Sequence, residues 1–146
     1  MHKRPLQIAT AMLALVPTLT GTLGMLGLHD PLYAALHLPP DPTLDSQLRF
    51  LNGVWLGLGL AAFWLVPRIE RETALFRMLW LMIFLGGIGR LISLALAGMP
   101  FPPFVGFTVL EVLGAPLFVW WQHQVSRQVA ASSVDHNNFA GATQLP

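Results

Sequence analysis

Four stretches of this chain are long and apolar enough to cross a bilayer, and they constrain the fold more than any other feature. Leu6–Leu28 runs 23 residues without an Asp, Glu, Lys or Arg. Leu48–Val66, Ala74–Ala97 and Phe104–Trp121 follow it. About 20 predominantly apolar residues in helical form cover a ~30 Å hydrocarbon core. Backbone N–H and C=O groups have no water to bond there, so apolar spans of this length form helices. The composition agrees: 54% of the 146 residues are hydrophobic, 10% are charged and mean hydropathy is +0.60. Soluble domains carry about 25% charged residues. The sequence therefore predicts an all-α integral membrane four-helix bundle, one domain over residues 1–127. The polar, aperiodic residues 128–146 read as a disordered cytoplasmic tail. Gln122 and His123 extend the short fourth span into the headgroups. The basic start "MHKRP" resembles a signal peptide, but a signal core of 7–15 residues is shorter than Leu6–Leu28, which reads as an uncleaved span.

Charge in the connections predicts orientation. Lys3 and Arg4 precede the first span, Arg68, Arg71 and Arg77 surround the second connection, and Arg127 follows the fourth span. The first connection holds Asp30, Asp41 and Asp45, and the third, "GMPFPP", holds no charge. Lys and Arg collect on the cytoplasmic side of a membrane protein, which puts both termini in the cytoplasm. Within the first connection, Asp30-Pro31 pairs an N-cap with proline at the first helical position, so "DPLYAALHL" forms a short interfacial helix. Asp41-Pro42 repeats the signal and starts the second span early. Asp45, Arg49 and Asn52 then share one face of that helix.

Glycine and proline mark where helices meet. Gly21, Gly24 and Gly27 recur in span one, Gly53 and Gly57 form GxxxG in span two, and Gly86, Gly87 and Gly89 cluster in span three. Small residues let helix backbones approach in lipid, either within a bundle or along a seam between copies. Pro17 and Pro116 each remove a helical hydrogen bond and kink their helices. Trp64, Trp80, Trp120 and Trp121 read as an interfacial belt.

Two full charges lie deep in the spans. Arg90 stands eight residues before Gly98 and Glu111 eight residues after Pro103, so each is ~12 Å below its helix end. The helices are antiparallel with a six-residue link, which puts both at one depth. Leaving an arginine or an acid unpaired at mid-helix costs about 2.5 to 3.5 kcal/mol. A direct ion pair between Arg90 and Glu111 is expected, with Thr108 on the Glu111 face. Arg49 has two readings. It pairs with Asp45 at the interface, or it turns inward with Asn52 to join Arg90, Thr108 and Glu111. The second arrangement would be net positive and would suit an anionic, lipid-like ligand, because a guanidinium fork fits carboxylate and phosphate.

The runs "RFLNGVWLGLGL", "FLGGIGRLISLALAGMP" and "LEVLGAPL" resemble small bacterial membrane proteins grouped as domain of unknown function family 4345. The resemblance spans roughly Leu44 to Gln124. Its pattern matches Arg49, Gly53, Gly86, Gly87, Gly89, Arg90 and Glu111. It implies the four-span fold and the polar site and no activity. A looser similarity to four-helix membrane proteins of the DoxX type rests on architecture alone.

Several functions are disfavoured. Cysteine is absent, which removes disulfide and thiolate-metal chemistry. No basic patch is interleaved with aromatics, so no nucleic acid is expected. His29, His37 and His123 lie at or beyond span ends, which argues against a haem bundle. Two histidines on one connection are too few for zinc, so no metal or cofactor is expected. Ser93 has no histidine near its depth and forms no hydrolase triad. The leading reading is a non-enzymatic membrane protein that packs with itself or with a larger partner, its Arg–Glu site fixing the fold. Binding or transport of a lipophilic anion is the alternative, and an intramembrane enzyme comes third.

Overall fold

The computed structural model describes residues 3–142, with side chains through Ala131. Among them the elements are helical. In chain order they are α1 (Lys3–Gly24), a 3-10 turn at Gly27–His29, α2 (Pro31–Ala34), α3 (Pro42–Leu65), a second 3-10 turn at Val66–Arg68, α4 (Thr73–Ala97), α5 (Pro102–Val109), a π turn (Leu110–Gly114) and α6 (Ala115–Ala142). Four helical segments have the length and apolar character of membrane spans: Lys3–Gly24, Pro42–Arg68, Thr73–Ala97 and Pro102–Ala131. The chain is thus an all-α, multi-pass membrane protein. The helices fall into two compact units, residues 7–67 and, separately, the residues up to Leu6 with those from Arg68 onward.

In the first unit α1 packs against α3 through glycines and threonines. At Gly24 a methyl group would run into the side chain of Asn52, and at Gly21 it would stand 2.6 Å from Leu56 N. Both glycines of α1 therefore serve close approach. The GxxxG of α3 does not serve it equally. Gly53 has only Met25 nearby and Gly57 faces open space, whereas Gly59 lies against Thr18. Trp55 Nε1 donates to Thr20 Oγ1 at 2.9 Å, and Gln7 Nε2 donates to Val66 O at 2.9 Å.

The expected first span ends early. α1 stops at Gly24 rather than Leu28, because Gly27 turns to φ +63 and opens the 3-10 turn. That conformation is easy for glycine and costly for other residues. Both N-cap signals are used: Asp30 accepts from Leu32 N at 2.9 Å and Asp41 from Leu44 N at 2.7 Å. α2 is shorter than "DPLYAALHL" suggests and ends before His37, which sits at φ 50.

In the second unit α4 lies along the fourth span. Phe76, Trp80, Phe118 and Trp121 form an aromatic core in which Trp80 stacks on Phe118 with ring centroids 4.4 Å apart. Trp80 is buried and so does not belong to the expected belt, while Trp64 and Trp120 are exposed. Below this core Gln122 is fully buried, its amide within hydrogen-bond distance of Ile69 O, Thr73 Oγ1 and Ser126 Oγ. Lys3 reaches Glu70 at 2.6 Å. Two further departures concern the fourth span. It is not one α-helix, because a π turn separates α5 from α6. Nor does helix end near Gln128: α6 continues to Ala142. From Gln128 to Ala140 the sequence contains neither proline nor glycine, so nothing there forces an end.

Candidate functional site

The second unit brings three of the expected site residues together. Arg90 Nε donates to Glu111 Oε2 at 2.9 Å, and Glu111 is buried. The contact depends on Gly87. A methyl there would stand 2.8 Å from Glu111 Cβ and 2.9 Å from Val112 Cγ2, so α4 touches the π turn only because position 87 has no side chain. Gly86 and Gly89 meet nothing within 4 Å, so one glycine of the cluster carries this packing.

Glu111 lies inside the π turn, Leu110–Gly114. Pro116 explains why the regular ladder fails here. Its nitrogen has no hydrogen for Val112 O, and its ring would crowd that carbonyl in an unbroken α-helix. π turns inside α-helices relieve such conflicts and are frequent at functional sites. Thr108, one α-turn before, is also buried, and its Oγ1 donates back to Phe104 O at 2.8 Å.

Beside the pair is a small cleft of about 90 Å³ lined by Arg90, Ser93, Pro100, Phe104 and Thr108. The guanidinium carbon of Arg90 lies 5.2 Å from the Phe104 ring centroid, a cation–π distance. The arginine side chain remains 36% exposed, so the ion pair covers only part of it. The lining residues include no histidine and no carboxylate. Among the described residues no group of three His, Cys, Asp or Glu side chains could hold a metal ion.

Arg49 and Asn52 make their contacts in the first unit. Arg49 Nε donates to Asp45 Oδ2 at 2.7 Å, the interfacial pairing of the two readings. Its Nη1 donates to Met25 O at 2.7 Å and its Nη2 to Leu26 O at 3.0 Å. Asp45 Oδ1 in turn accepts from Leu28 N at 2.9 Å. The pair therefore binds two carbonyls and an N–H where α1 gives way to the 3-10 turn, Leu26 O also accepting from His29 N at 3.2 Å. Asn52 donates to Leu48 O at 2.8 Å and packs on Gly24. Arg49 is thus held by one carboxylate and two carbonyls within the first unit.

Sequence reasoning did not single out Phe104 or Pro100, nor the π turn itself. The signals were present. Phe104 is four residues before Thr108 and seven before Glu111, on one helical face, and Pro116 lies four after Val112.

These features define a class of protein: an all-α, polytopic membrane chain with an arginine–glutamate contact inside its third and fourth spans. The family described as Domain of unknown function (DUF4345) matches residues 5–122, and the chain belongs to it. No curated protein and no solved structure matches the chain.

Proposed function

We propose that this chain is a non-enzymatic packing protein of the bacterial inner membrane, and that the Arg90–Glu111 pair locks its third and fourth spans together. The observation that carries the reading is the single 2.9 Å contact made where Gly87 lets α4 meet the π turn. A charge at mid-helix costs about 2.5 to 3.5 kcal/mol when unpaired, so the pair selects one register of these two spans over others. In this reading both termini are cytoplasmic. Support comes from Lys3, Arg4, Arg68, Arg71 and Arg77, which collect around the N-terminus and the second connection. The bilayer is its constant partner, and its apolar outer faces serve assembly with a second copy or a larger membrane protein.

The test is a double-mutant cycle on purified protein. Glu111→Ala should reduce folded yield more than Arg90→Met combined with Glu111→Leu, because the single change strands a buried charge while the double change removes both. Equal losses in the single and double variants would overturn the locking role.

A further inference from the structure

Arg90 is only partly used by the ion pair. Its Nε is bonded to Glu111, while neither Nη1 nor Nη2 has a hydrogen-bond partner among the described residues. The remaining four N–H donors are carried by a fork that matches two oxygens of a carboxylate or phosphate. Ser93 lies one turn further along α4, is exposed, and its hydroxyl makes no hydrogen bond among the described residues. Thr108 Oγ1 spends its hydrogen on Phe104 O and lines the same cleft. Phe104 flanks the guanidinium at 5.2 Å and limits how the fork can swing.

Position narrows the occupant. Arg90 lies seven residues before Ala97, the end of α4, which puts it ~10 Å below that end at 1.5 Å per residue. Pro100 and Phe104 supply apolar wall, and the cleft of about 90 Å³ has room for one small oxyanion group. A free anion reaching that depth would give up its hydration against apolar surface. An anion carried on an acyl-bearing molecule would not, because its chains stay in the surrounding hydrocarbon. Charge narrows it again. Glu111 already balances Arg90, so a dianion would leave the site strongly negative, whereas the phosphodiester of a phospholipid brings a single charge.

We propose that the cleft beside Arg90 binds a phosphate oxyanion delivered by a phospholipid headgroup, received by Arg90 Nη1 and Nη2 and by Ser93 Oγ. This use of Arg90 is additional to its pairing with Glu111, and the two are separable by experiment.

The probes are protein purified in a maltoside detergent without phosphate, then mixed with phosphatidylglycerol, with a glycolipid that lacks phosphorus, or with inorganic phosphate alone. Thermal unfolding is measured for the wild type, for Ser93→Leu, which fills the cleft and leaves the ion pair in place, and for Arg90→Met with Glu111→Leu. Phosphatidylglycerol should raise the unfolding temperature of the wild type by several degrees, and the glycolipid should not. Both variants should lose that rise. Inorganic phosphate stabilising as well as the phospholipid would overturn the lipid source. An equal response to phospholipid and glycolipid, or an undiminished response in Ser93→Leu, would overturn the site. Because Ser93→Leu spares the pair, its result stands whatever the double-mutant cycle shows about locking.

Discussion

Gly87 and Glu111 meet so closely that a single methyl group on the glycine would stand 2.8 Å from the glutamate Cβ, closer than real side chains approach. The prediction is direct. Gly87→Ala should destabilise the protein by about 1–3 kcal/mol, the usual cost of overpacking a tight contact. Gly86→Ala and Gly89→Ala, which meet nothing within 4 Å, should be neutral or slightly stabilising. Thermal unfolding of the three purified variants checks this, and equal behaviour at all three positions would refute the contact's importance.

A second prediction concerns the end of α1. Asp45 accepts from Leu28 N and from Arg49, and Arg49 holds the carbonyls of Met25 and Leu26. Asp45→Ala removes one arm and leaves Arg49 without its carboxylate. Asp45→Asn keeps an oxygen for Leu28 N. Limited proteolysis should cut between Gly27 and Asp41 fastest in Asp45→Ala, more slowly in Asp45→Asn and most slowly in the wild type. The same order should not appear at sites beyond Arg127.

A third prediction turns on pH. Burial by itself would raise the Glu70 carboxyl. The hydrogen bond and charge of Lys3, a backbone hydrogen bond and the charge of Arg71 outweigh it and hold the group below the ordinary glutamate value. A lowered folded-state value means that the ionised form is preferred in the folded protein. Its stabilisation is fully present above the unfolded value, about 4.3, and is lost as pH falls through the lower folded value. Lys3→Met removes the main compensating partner and leaves the burial. The stability gap between wild type and Lys3→Met should be widest near neutral pH and shrink below about pH 4.3. A gap that does not change with pH would show that Lys3 acts through packing alone.

The helical, membrane-spanning character of the chain was legible because it rests on run length and apolar content, which Leu6–Leu28 and Ala74–Ala97 display without any tertiary information. The capping aspartates were legible for the same reason, since Asp30-Pro31 and Asp41-Pro42 act within a few residues. Arg90 opposite Glu111 followed from equal depth on antiparallel helices. What could not be read depends on contacts distant in sequence. Nothing local distinguishes Gly87 from Gly86, or Trp80 in the core from Trp64 outside it. Arg49 binding the carbonyls of Met25 and Leu26 requires knowing that Gly27 ends α1 early. The π turn needed Pro116 to be read as a change of helix type rather than as a bend.

The π turn has one more consequence. In an α-helix each residue adds about 100° of rotation and 1.5 Å of rise. Removing one residue from α4 or α6 would therefore turn everything beyond it by more than a quarter of a circle. A π turn is the place where a helix already carries one residue more than its winding requires. Deleting a residue within Leu110–Gly114 would remove that extra residue and turn Phe118 relative to Thr108 by less than a deletion elsewhere in the span, while the Pro116 ring would still crowd the carbonyl four residues before it. Along the fourth span, Glu111 thus stands where the chain's residue count and the helix's phase are uncoupled. The aromatic packing of Trp80 on Phe118 and the polar pairing at Arg90 do not have to obey a single helical repeat.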